Sequence, residues 1–271
     1  MEKNEQERLL NEILPHVASQ LRMPLGNMYV AMQRMKEPSR KGSTAERDRA
    51  IADQSYYRAM RLVNNLSSAP MLLESDLFST ENVEMVEWLE HLVRQAQPLA
   101  EEAGVTVSFT SPLPYRIVAV HRAHLERLVW NLLSNALKFT PRGGQVTVSF
   151  RLSGSQVLLE VADTGCGISE ELQETVFDRY LHPERMDPLP HGLGLGLPLC
   201  RRIAEGHGGR LLLHSRVGKG TTVTVALPDR KNSETMLREP AFHYAGGFQA
   251  VLMELSDALP YGAFFARHID E

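Results

Sequence analysis

From Leu14 to Met35, apolar residues at Leu14, Ala18, Leu21, Leu25, Met28, Met32 and Met35 recur in steps of 4, 3, 4, 3, 4 and 3. That spacing returns to one side of an α-helix at every turn, and no strand or irregular loop can use it. A second run, Ala52, Ser55, Ala59, Leu62, Leu66, Ala69 and Leu73, steps by 3, 4, 3, 4, 3 and 4. Between them Glu37-Pro-Ser-Arg-Lys-Gly-Ser43 is rich in helix breakers, and Ser43 or Thr44 is placed to cap a new helix with Glu46 in its first turn. The pattern predicts two helices folded back as an antiparallel hairpin over residues 7–74. A lone hairpin buries too little apolar surface to be stable. Two copies forming a four-helix bundle would cover both seams, which predicts a homodimer through residues 7–74.

After Ser75 the periodicity changes, and the chain divides into a hairpin (1–75), a second domain (76–228) and a C-terminal extension (229–271). Val83–Ala103 and His121–Phe139 carry helical spacing; Val105–Phe109 and Arg116–Val120 read as strands. In Gln145–Leu152, Val146, Val148 and Phe150 alternate with Thr147, Ser149 and Arg151, the signature of a half-buried strand, and Val157–Val161 pairs with it through Ser153-Gly-Ser155. Arg210–Ser215 and Thr221–Leu227 flank Arg216-Val-Gly-Lys-Gly220, a further strand–turn–strand signal. An antiparallel or mixed sheet covered by helices on one face, an α+β layer, satisfies this order. In the extension, Phe248, Val251, Leu252, Leu255 and Leu259 share one helical face ahead of the apolar Tyr261–Phe265, which predicts a tail packed on the body or docked on a partner.

Composition removes several function classes. The formal charge of −4, from 29 Lys and Arg against 33 Asp and Glu, offers no basic stripe for nucleic acid. No apolar run approaches the roughly 20 residues of a membrane span, and residues 1–6 are too polar for a secretory leader, so the chain reads as cytoplasmic. Cys166 and Cys200 are too few for a disulfide framework or a zinc ligand set and read as free thiols. His243 and His268 read as surface residues rather than ligands.

Three segments carry chemistry. Asn131, Asn135 and Lys138 fall at i, i+4 and i+7 of one helix, a polar stripe on an apolar element. Amide oxygens can complete a Mg²⁺ shell shared with phosphates and water, and a lysine one turn away supplies charge to those phosphates; alone, the stripe also fits an exposed polar face. Asp163-Thr-Gly165-Cys-Gly167-Ile168 delivers a carboxylate from a strand end, able to accept from an exocyclic amine such as that of adenine; alone it also fits an ordinary turn. Gly192-Leu193-Gly194-Leu195-Gly196 runs into a helix whose free N–H groups suit a phosphate, with the wrong spacing for a dinucleotide fingerprint. Gly218-Lys-Gly-Thr lacks the order of a P-loop and reads as a hairpin turn.

In this order and at these separations, the three segments resemble the ATP-binding domain of sensor histidine kinases over residues 82–228. Asn131–Thr140 resembles the family's asparagine box, Asp163–Ile168 its first glycine box, Val176–Tyr180 its phenylalanine box and Gly192–Gly196 its second glycine box. The resemblance implies the α/β sandwich shared with gyrase B and heat-shock chaperone ATPases, and ATP and Mg²⁺ as cofactors. It implies Asn135 as metal ligand, Asn131 near the γ-phosphate, Lys138 on a phosphate and Asp163 on adenine, with Asn131 and Lys138 in the catalytic role. Gly165, Gly167, Ile168, Tyr180, Gly192, Leu193, Gly194, Leu195, Gly196 and Thr222 complete the implied nucleotide-binding set, with Tyr180–His191 as a short, proline-stiffened lid. Leu193 departs from the family, which commonly has Ser or Thr there.

Residues 7–74 resemble the same family's dimerisation and phosphoacceptor hairpin, anchored on Leu21-Arg-Met-Pro-Leu25. Relatives have His-Glu immediately before that motif, where this chain has Ser19-Gln20. Serine cannot form a phosphoramidate, and neutral Gln is a poor proton acceptor beside it. His16 lies three residues upstream, about 4.5 Å along the axis at 1.5 Å per residue, far for an in-line transfer. Only about six residues precede the first helix, which gives no room for a sensory domain ahead of it in this sequence. The reading is a two-component signalling protein that binds nucleotide, does not autophosphorylate at the usual position and regulates a partner kinase or response regulator. The alternatives are an active kinase or ATPase acting on His16, Ser19 or a partner protein, and an interaction scaffold without nucleotide.

Overall fold

The computed structural model describes residues 2–36, 42–68, 70–71, 77–177, 194–233 and 249–265, with side chains from residue 18 onward. Two long helices, α1 (Glu2–Met35) and α2 (Ser43–Ser67), run back along each other as a hairpin. The first starts five residues before the expected hairpin boundary at residue 7, and the second stops at Ser67, short of Leu73. Neither Ser43 nor Thr44 caps α2. Gly42 holds the N-cap at φ 62 with no side-chain hydrogen bond, a left-handed turn that glycine adopts without steric cost.

A two-stranded ribbon pairs β1 (Glu81–Glu84) antiparallel with β3 (Ile117–Val120). The first of these strands was absorbed into the helical spacing of Val83–Ala103, because Val83 fits either period; α3 begins only at Met85. The Glu84 carboxylate caps α3 by accepting from the N–H groups of Val86 (3.3 Å) and Glu87 (2.7 Å), and takes the Arg116 N–H (2.7 Å) as well. After α3 (Met85–Ala103) come β2 (Thr106–Thr110), α4 (Arg122–Phe139), β4 (Gln145–Ser153), β5 (Gln156–Asp163), α5 (Glu170–Thr175), α6 (Gly196–Gly206), β6 (Arg210–Arg216) and β7 (Gly220–Pro228).

The strands form a mixed five-stranded sheet in the order β2-β4-β5-β7-β6, parallel between β2 and β4 and antiparallel elsewhere. Register places Val146, Val148 and Phe150 of β4 opposite Asp163, Val161 and Leu159 of β5, so alternate side chains enter one face. There they meet Leu89, Leu92 and Val93 of α3, Leu125, Leu128, Leu132 and Leu133 of α4 and Ile203 of α6 in one continuous core. At about 1.5–3 kcal/mol per fully buried aliphatic or aromatic side chain, this face is the main source of stability.

The extension adds a short helix α7 (Ala250–Leu255) and a 3-10 turn (Tyr261–Phe264). Leu252, Leu255, Leu259, Ala263 and Phe264 join the main core, and the tail lies against α2, α3 and α4. Phe248 falls outside the described residues. Among those residues no helix is long and apolar enough to cross a membrane.

Candidate functional site

The site begins with α4. His121 precedes the helix and its Nδ1 accepts the His124 N–H at 3.3 Å. The apolar side of α4 faces the sheet, which fixes its rotation and turns the opposite stripe toward the rest of the molecule. Asn131 on that stripe is buried, and Asn135 and Lys138 are partly buried. The start of α6 comes close to both amides: a Cβ at Gly196 would lie 3.7 Å from Asn131 Oδ1 and 3.8 Å from Asn135 Nδ2. The start of α6, with its free N–H groups, thereby lies beside the asparagine stripe.

The Asp163 loop approaches the C-terminal end of the same helix. Asp163 Oδ1 accepts the N–H groups of Gly165 (2.8 Å) and Thr221 (3.2 Å), and the Cys166 N–H donates to the Phe139 carbonyl at 3.2 Å. A Cβ on Gly165 would sit 2.5 Å from that carbonyl oxygen, and one on Gly167, at φ 70, would sit 2.1 Å from the Arg216 oxygen. Any side chain at either position would push the loop off α4 and off the β6–β7 turn. Burial raises the Asp163 carboxyl above its usual range, and the two N–H donors oppose that shift. Ile168 donates its N–H to Ser215 Oγ at 2.8 Å, and Thr222 pairs with Ala162 beside the loop.

A side chain from the hairpin completes the stripe. Arg61 of α2, only 4% exposed, donates through Nη1 to Ser134 Oγ at 2.5 Å and through Nη2 to Asn131 Oδ1 at 3.5 Å. Its Nη1 also lies 3.3 Å from Asp257 Oδ2 of the extension. Asn131 Nδ2 and Arg61 Nε are buried with no hydrogen-bond partner among the described residues. Lys138 lines an open cavity of about 290 Å³ with Arg58, Thr140, Arg142, Asp257 and Pro260. Burial holds its ammonium down to about 8; Asp257 opposes this shift, and Arg61 and Arg58 reinforce it.

The structure thus brings Gly196 to Asn131 and Asn135 in the C-terminal half of α4, and the Asp163–Gly165 loop to Phe139 at the end of that same half. Leu195 and Leu199 of α6 pack on Leu62, which withdraws Leu62 from the seam expected to face a second copy. Tyr180, Gly192, Leu193 and the lid lie outside the described residues, as does the His16 side chain. Ser19 is exposed on α1. Sequence reasoning missed Arg61, Ser134 and Asp257. The signal available was the polar run Gln54, Arg58, Arg61 and Asn64 on one side of α2, spaced 4, 3 and 3.

Residues 120–231 match the family described as histidine kinase-, DNA gyrase B-, and HSP90-like ATPase. Over 240 residues the chain is 31% identical to the sensor histidine kinase WalK of Bacillus subtilis, an alignment covering 86% of this chain and 38% of that one. Over 142 residues it is 42% identical to the histidine protein kinase DivJ of Caulobacter vibrioides, covering 52% and 24%. Among solved structures, histidine kinase ThkA in complex with response regulator protein TrrA superposes with a TM-score of 0.63 at 20% identity, over 84% of this chain and 64% of that one. Full-length ShkA in complex with AMPPNP gives 0.58 at 22% identity, over 80% and 46%. The chain spans between a quarter and two fifths of the length of those two curated relatives. With the sheet, the α4 stripe and the Asp163–Gly167 loop in place around this match, the chain belongs to the sensor histidine kinase family and carries its ATPase-type domain.

Proposed function

We propose that this chain binds ATP with Mg²⁺ and acts as a nucleotide-dependent regulator in two-component signalling, without phosphorylating itself at the usual histidine position. The observation that carries the reading is the approach of Gly196 to Asn131 and Asn135, which leaves two amides and a helix start facing one space. The unpartnered Asn131 Nδ2 fits a donor waiting for a phosphate oxygen. Asn135 would hold the metal ion, which supplies charge neutralisation to the phosphates. Lys138 adds a cation, and Asp163 offers a carboxylate oxygen to the adenine amine.

The regulatory part rests on Ser19 and Gln20. Both stand where relatives carry His-Glu, immediately before Leu21-Arg-Met-Pro-Leu25, and a hydroxyl cannot replace an imidazole as a phosphoramidate former. The residues divide into hairpin (1–75), ATPase domain (76–228) and extension (229–271), and the hairpin associates with a second copy. Leu25, Tyr29 and Met32, all exposed, lie on one side of α1 and offer an apolar face that a partner hairpin would cover. By analogy with ThkA, whose solved complex contains a response regulator, the chain's partner is a response regulator or another kinase.

Titration with ATP in the presence and absence of Mg²⁺ tests the reading. Asn135→Ala should weaken binding by about 1–3 kcal/mol, the cost of losing a buried polar contact; unchanged affinity removes the site. Incubation with labelled ATP should give no acid-labile phosphate on the natural chain. The double change Ser19→His with Gln20→Glu should create it, while phosphate on Ser19 or His16 of the natural chain would establish an active kinase instead.

A further inference from the structure

Polar groups of α2 hold much of the extension, beside the buried apolar side chains of Ala50 and Tyr57. Gln54 Nε2 donates to the Leu259 carbonyl at 2.7 Å, Arg58 Nε to the Ser256 carbonyl at 3.0 Å and Asn64 Nδ2 to Met253 Sδ at 3.2 Å, while Arg61 pairs with Asp257. Tyr57 and Phe264 add one ring contact, 5.7 Å between centroids. The carboxylate of Asp257 stands at the centre of this arrangement. Arg61 is 3.3 Å from it, Arg58 and Lys138 share its cavity, and each of these last two cations is stabilised by its charge. The Asp257 carboxylate thus stands among three cations, one of which belongs to the asparagine stripe, while Glu254 of the same segment, its carboxyl raised by burial, acts on Arg61 and Arg127.

A polyphosphate arriving at that stripe seeks the same partners. It carries several negative charges against one, and Lys138 and Arg61 lie where solvent screening is weak, so the larger charge is favoured. Two anions cannot both take the full complement of donors on one guanidinium and one ammonium. We propose that residues 249–265 are an internal strap whose Asp257 carboxylate competes with nucleotide polyphosphate for Lys138 and Arg61, so that ATP binding releases the hairpin from the ATPase domain. The inference rests on the ATP reading above. Coupling of this kind is reciprocal: whatever affinity ATP loses to the strap, the strap loses to ATP. Adenosine, lacking phosphates, stands outside the competition.

The test compares the natural chain with Asp257→Asn, which keeps the shape and removes the charge, in titrations with Mg·ATP and with adenosine. The variant should bind ATP tighter by about 5- to 150-fold, the usual range of coupling, with adenosine unaffected. Hydrogen exchange on the natural chain supplies a second measurement that needs no variant: amides of 249–265 should exchange faster when ATP saturates the site. Equal or weaker ATP affinity in the variant overturns the strap, as does an equal gain for adenosine or unchanged exchange under saturating ATP. If neither chain binds ATP, the nucleotide reading itself falls and takes the strap with it.

Discussion

Two interfaces meet on the asparagine-box helix, and they are built from opposite materials. On the sheet side, Val146, Val148 and Phe150 interlock with Leu125, Leu128 and Leu133, with no polar side chain between them. On the hairpin side, Arg61 reaches Asn131 and Ser134, Arg127 donates to the Asn64 carbonyl, and Leu62 with Leu195 and Leu199 supplies a small apolar cluster. The first interface draws on area removed from water, which cannot be exchanged for anything solvent offers. The second draws on hydrogen bonds and ion pairs, whose net worth is small because water or a competing anion can replace each partner. A permanent core and an exchangeable contact therefore sit on two sides of one helix.

The contrast gives graded expectations. Phe150→Ala removes a fully buried ring and should cost about 3–5 kcal/mol in denaturant unfolding, with loss of the whole domain; a cost near 1 would mean the sheet side is no firmer than the other. Arg61→Ala leaves Ser134, Asn131 and Asp257 without their cation and should cost about 1–3 kcal/mol. Here hydrogen exchange should rise in α2 and in 249–265 while the β4 and β5 amides stay protected; uniform loosening would erase the distinction.

Acidification probes the joint at the start of α4. His124 is held down to about 4 by burial first and then by repulsion from His121, His207, Arg127 and Arg202, and burial lowers His207 as well. The His207 ring donates through Nδ1 to the Ile203 carbonyl and accepts the His121 N–H at Nε2, an arrangement only the neutral ring can make. The unfolded chain takes up a proton on His124 below its ordinary 6.5, the folded chain only near 4, so this group withdraws stability as pH falls from 6.5 toward 4. Melting temperatures across that window should fall less steeply in His124→Asn than in the natural chain. The smallest effect belongs to the exposed pair Arg201–Glu205 on α6. Removing it should change stability by no more than about 0.5 kcal/mol.

The same division decides what could be read from the amino acids alone. Strands β4 and β5 declare themselves because inward and outward positions alternate, and burial of Val157, Leu159 and Val161 follows that alternation residue by residue, while β6 and β7 declare themselves through the turn between them. Gly165 and Gly196, far apart in the chain, both come to rest against the C-terminal half of α4, a meeting that chain order alone could not place. On α2 the seam residues Ala52, Ser55 and Leu62 are buried as their spacing predicts, but the larger polar part of the buried surface was illegible. Its Asp48, Gln54 and Arg61 look like a solvated stripe, and only partners distant in sequence turn them inward: Leu259 for Gln54, Ser134 and Asp257 for Arg61. Polar burial has no periodic signature, because its warrant is a specific partner rather than a face. The β1 strand was lost for a different reason, since four residues are too few to separate a period of two from one of 3.6.

The contact between Gln54 and Leu259 spans 205 positions of chain. At roughly 5–20 residues per second of synthesis, α2 waits on the order of 10–40 s before the segment that covers it leaves the ribosome. During that interval the side it will present to the extension carries the amides of Gln54 and Asn64 and the guanidinium groups of Arg58 and Arg61, all of which water satisfies, beside the ring of Tyr57, and offers little of the leucine and valine surface that would draw other nascent chains to it. A surface that must stand uncovered during manufacture is made of groups that can bear the wait.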